Sequence, residues 1–147
     1  MKNKRHIIIL FTAIVLLIAI FGGKYINNLP KETTWGKMIT ELFGDKTVIQ
    51  ITITEEKYPD YTTVYITDKQ TIKNILEGPA KTKLKESDIH VGPITSKYLL
   101  DFRTGYRDRL MYLNENLLEF EGQGISYETD DDSVFGVIHE AFITNNN

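Results

Sequence analysis

Cysteine is absent from the 147 residues. That excludes disulfide bonds and rules out anchoring through a lipid-modified cysteine. Histidine is scarce: His6 precedes a hydrophobic run, His90 sits in a loop-like stretch, and His139 belongs to the last helical pattern. A catalytic zinc site draws on at least three protein ligands, often two or three histidines in a spacing such as H-E-x-x-H, and His139-Glu140 supplies only half of that motif. Ser96, Ser126 and Ser133 are present, but no G-x-S-x-G elbow frames any of them. Gly122-Gln123-Gly124 is a lone G-x-G with no Lys-Ser or Lys-Thr after it, so a phosphate loop is missing too. No residue is therefore assigned a catalytic, cofactor-binding or metal-binding role, and the chain reads as non-catalytic.

Charge is unevenly placed. Lys2, Lys4 and Arg5 lie in the first five residues, which leaves fourteen basic against twenty acidic residues in the rest, a formal charge of −6. A net-acidic body is a poor partner for nucleic acid, whose affinity comes largely from phosphate neutralisation. The basic cluster precedes His6 to Gly23, HIIILFTAIVLLIAIFGG, a run without a formal charge. As a helix it would span roughly 27 Å, close to the ~30 Å hydrocarbon core of a bilayer. A good signal-peptidase site is lacking around Ile20-Phe21-Gly22, which favours an uncleaved transmembrane anchor over cleavage near Gly22. Positive charge stays cytoplasmic. The expected organisation is a cytoplasmic tail (1–5), an anchor (6–23), a linker (24–33), an extracytoplasmic domain (34–144) and a short tail (145–147), all at the cell membrane.

Beyond the linker the pattern is regular. Trp35, Met38, Ile39, Leu42 and Phe43 follow helical spacing, with Thr34 as N-cap and Gly44 as the stop. TVIQITIT (47–54) and residues 61–66 alternate like paired strands. Thr67 and Gln70 have capping-box spacing ahead of Ile72, Ile75 and Leu76, and Gly78-Pro79 closes that helix. A brief edge strand guarded by lysines is expected over 81–85. Alternation returns over 94–104, 109–113 and 117–120, with a last short strand over 125–129 and a final helix whose face is Val134, Ile138, Ala141 and Phe142. The predicted fold class is α+β: one mainly antiparallel sheet of four to six strands with about three helices gathered on one face.

The segment running from the strand at Thr47 through ITDKQTIKNILE to the Tyr98-Leu99-Leu100-Asp101-Phe102 strand and the meander after it, about 47–120, resembles small exported, membrane-associated domains of Bacillus-type Gram-positive bacteria. The resemblance implies a location outside the cytoplasm and brings no catalytic residues with it.

Two charged features remain. Glu128, Asp130, Asp131 and Asp132 fail as a calcium loop, since Ser133 stands where an EF-hand needs Gly and His139 where it needs Glu, and they read instead as carboxylates at the start of the last helix. Arg103, Arg107 and Arg109 lie on one predicted hairpin with no such local reason, which makes them the candidate contact for a protein, peptide or cell-wall partner. Lys81, Lys83 and Lys85, and the exposed Tyr58, Tyr61 and Tyr65, are lesser candidates. The reading is a membrane-anchored binding or regulatory module. The alternatives are a small envelope hydrolase and an immunity or accessory protein against a secreted toxin.

Overall fold

Among the described residues eight strands and three helices follow the order β1 (Glu32–Thr34), α1 (Trp35–Phe43), β2 (Gln50–Lys57), β3 (Asp60–Ile66), α2 (Lys69–Glu77), β4 (Lys83–Ser87), β5 (Tyr98–Arg103), β6 (Arg109–Leu113), β7 (Leu117–Phe120), β8 (Ser126–Thr129) and α3 (Ser133–Asn145). They come from a computed structural model that describes residues 31–57 and 59–146. The run 6–23, the tail 1–5, most of the linker and Tyr58 lie outside the described residues. Among the described residues no helix is long and apolar enough to cross a membrane.

The strands form one antiparallel sheet in the order β1-β4-β8-β7-β6-β5-β2-β3. This is α+β as expected, with eight strands in place of four to six. Alternation explains the layering, because neighbours in register share a face. Ile51 stands between Ile66 and Phe102, and Ile53 between Val64 and Leu100. The row continues through Met111 and Phe120. These side chains are buried in one cluster with Trp35 and Met38 of α1, Ile72 and Ile75 of α2, and Val134, Ile138, Ala141 and Phe142 of α3, so all three helices cover this inner face. The expected face of α3 is the buried one.

Local chemistry sets the helix ends. Thr34 is the N-cap of α1, its hydroxyl accepting the Lys37 N–H, and Gly44 takes φ 59° at the other end. For α2 the expected Thr67 cap is displaced by one residue: Asp68 Oδ2 accepts the Thr71 N–H at 2.8 Å. A carboxylate outcompetes a hydroxyl at a helix amino end, where it also meets the positive end of the dipole, and the bonds from the Thr71 N–H and the Thr71 hydroxyl hold the Asp68 carboxyl below its ordinary value.

Three expectations need correction. The linker was to run through residue 33, yet Glu32–Thr34 is a strand paired with Lys83–Lys85, and the compact unit begins at Lys31. The lysine-bearing strand expected over 81–85 is not an edge, because β1 covers one side and β8 the other. The last helix reaches Asn145, beyond the expected domain limit of 144.

Candidate functional site

The sheet face opposite the helices carries the polar features. The β4–β5 connection must travel from β4 past β8, β7 and β6 to reach β5, and Glu119 pins it on that outer face. Glu119 Oε2 accepts from the Ser126 hydroxyl, from the Val91 N–H at 3.2 Å, and lies 3.2 Å from His90 Nδ1. Burial works to raise the Glu119 carboxyl, but hydrogen bonds from Ser126, His90 and Val91 outweigh it and hold the group below its ordinary value of 4.5. The stability it adds is therefore complete above that value and is lost as pH falls through the lowered one. Glu119→Gln should flatten the acid limb of the stability–pH curve and raise hydrogen exchange at the Val91 amide; an unchanged acid limb would remove Glu119 from this role.

Ser, His and Glu meet here without the order of a catalytic triad. In a triad the imidazole stands between hydroxyl and carboxylate; here the carboxylate stands between the other two, and Ser126 is wholly buried. Ser96 is buried with its hydroxyl unpartnered, and Ser133 begins α3. His139 faces a tyrosine: its Nδ1 lies 2.5 Å from the hydroxyl of Tyr98, whose pKa is pushed up to about 12 by burial and then by Glu55. The acidic run is occupied structurally. Asp131 Oδ1 accepts the Ser133 N–H and the Thr82 hydroxyl, while Asp130 Oδ1 accepts the Lys83 N–H and ties β8 to β4. Among the described residues no three His, Asp or Glu side chains converge to hold a metal.

The predicted arginines lie at the β5–β6 hairpin. A buried threonine shapes its tip: the Thr104 hydroxyl donates to Arg107 O at 3.0 Å and accepts the Tyr106 and Arg107 N–H groups, with Gly105 at φ 82°. Beyond the tip a groove of about 370 Å³ is lined by Asp101, Arg107, Asp108, Arg109, Leu110 and Glu121. Arg107 and Arg109 thus share one groove. Arg103 does not line it; its Nε lies 3.8 Å from Asp108 Oδ2, half exposed. Among the described residues neither Arg107 nor Arg109 has a carboxylate at ion-pair distance, and Asp101 Oδ1 is buried without a hydrogen-bond partner. Burial raises the Asp101 carboxyl, Asp108 adds to the rise, and Arg103 opposes it. The groove therefore carries both signs.

Lys83 and Lys85 lie on β4, far along the sheet order from this hairpin, and do not join it. Compared with protein-family models, curated proteins and solved structures, the chain matches none.

Proposed function

We propose that this chain is a membrane-anchored binding module without catalysis, held outside the cytoplasm by the run His6–Gly23, and that the β5–β6 groove is its contact surface. The observation that carries the reading is that Arg107 and Arg109, without a carboxylate at ion-pair distance among the described residues, line one groove together with Asp101. Planar guanidinium forks suit carboxylates, and an acceptor such as Asp101 suits an N–H donor. A peptide or protein segment, or a wall component built from amino acids, offers both. The basic cluster before the hydrophobic run, and the resemblance to small exported domains, support the outward location.

Arg107→Glu with Arg109→Glu should keep the cooperative fold: the change at exposed Arg107 should cost within about 0.5 kcal/mol, and that at half-buried Arg109, the first residue of β6, somewhat more. Affinity capture from solubilised membranes should lose the proteins or wall fragments that wild type retains. Equal capture by both would remove the groove from the reading. Separately, a reporter active only outside the cytoplasm, fused after Asn147, should give signal; an expressed but silent fusion would overturn the orientation.

A further inference from the structure

The two edges of the sheet are built differently. β1 is three residues long, begins with Glu32 and follows Pro30 and Lys31. Short length, charge and proline are the usual devices that keep a sheet edge from pairing. The other edge, β3, is seven residues long and pairs with β2 in an unbroken register from Asp60↔Lys57 to Ile66↔Ile51. From Tyr61 through Thr67 it has no charge, no proline and no glycine. Among the described residues no strand pairs with its far side, and no loop or cap bonds to its outward N–H and C=O groups.

The strand is held rigidly for this. Val64 and Ile66 are buried in the core, and Thr63 is tied to Thr54 by a hydroxyl–hydroxyl contact of 3.0 Å. Tyr61 and Tyr65, 64% and 67% exposed, stand on the outer face either side of Thr63. Two aromatic rings flanking an open ladder give a newcomer both backbone partners and cross-strand contacts.

We propose that β3 receives an extended segment of a partner polypeptide, which adds to the sheet as a further strand. Only an extended backbone presents donors and acceptors at the spacing of an open ladder, so the chemistry of the edge names the occupant. Charge narrows it further. Asp60 opens the edge and Asp68 follows it, on a body of formal charge −6, so the fitting segment alternates apolar and polar residues and carries Lys or Arg at its ends. A second copy of this chain fits worse: antiparallel pairing about Val64 would set Asp60 against Asp68 at both ends, and like charges directly opposite repel. The proposal does not depend on the hairpin groove or on the anchor.

The test uses the full chain in mild detergent with the synthetic peptide acetyl-Lys-Val-Thr-Tyr-Thr-Val-Lys-amide as probe, and the same peptide with its central tyrosine replaced by proline. The first should bind saturably and slow amide exchange in residues 61–66, and the proline peptide should bind at least about tenfold more weakly. Tyr61→Ser with Tyr65→Ser should weaken binding of the first peptide without changing the far-UV spectrum, whereas Arg107→Glu with Arg109→Glu should bind it as wild type does. Equal binding of both peptides, protection confined to other strands, or no binding would overturn the proposal. So would a mass that doubles with concentration and falls back in the Tyr61→Ser, Tyr65→Ser variant, which would make a second copy the occupant.

Discussion

Ile51→Asp is expected to abolish cooperative folding. Ile51 is wholly buried on the inner face of β2, with Ile66 beside it on one strand and Phe102 on the other. Both cross-strand neighbours are apolar and the surrounding cluster is hydrophobic, so an aspartate there must either bury an unpaired charge or take up a proton at the expense of folding. Unpaired buried polar groups are among the few mechanisms that cost more than about 4–5 kcal/mol, and domains of this size are stable by about 5–15 kcal/mol in all. Ile51→Val removes one methyl group and should cost only about 0.5–1.5 kcal/mol. Urea titration followed by far-UV circular dichroism separates the two. A cooperative transition near the wild-type midpoint in the aspartate variant would mean that β2 does not sit in the core.

Trp35→Ala should cost about 3–5 kcal/mol, the usual range for emptying a large aromatic site. Trp35 is fully buried at the start of α1, and its indole N–H is shared between Ile75 O at 3.2 Å and Leu76 O at 3.0 Å. Those carbonyls belong to the last turn of α2, where a helix has no N–H of its own to offer them. Trp35 therefore fills the space between two helices and satisfies the carboxyl end of one. Trp35→Phe keeps most of the hydrophobic volume and leaves the carbonyls unsatisfied, at a cost of about 1–3 kcal/mol. Since the chain has no other tryptophan, the comparison is read by circular dichroism in urea. A phenylalanine variant as stable as wild type would show that packing alone accounts for this position.

The helix faces were legible because their periodicity is local: Val134, Ile138, Ala141 and Phe142 share a face however the chain is folded. The meander was legible for the same reason, with short alternating runs separated by Gly105 and Asn114-Glu115-Asn116. β1 was not. Three residues after a proline hold no periodicity, and their pairing with β4 depends on a segment about fifty positions away. Missing that pairing also made β4 look like an edge. Of the site, Arg107 and Arg109 could be named from charge alone, while Asp101 could not, because its place beside them follows from the β5–β6 register that sets it opposite Leu110. Thr104 had a weak signal, a threonine next to a turn glycine. Glu119 had none, since its partners Ser126 and His90 reach it through two separate connections.

The placement of β1 has a mechanical meaning. A pull applied at Lys31 reaches the domain first through a strand of three residues, which among the described residues is paired on one side only. Its few ladder bonds are the weakest link in series with α1, whose first residue is stapled to α2 by the Trp35 indole. Such tension would strip β1 from β4 before it loaded the core, leaving α1 and the rest of the sheet at rest. A strand too short to add much stability can still act as a shock absorber.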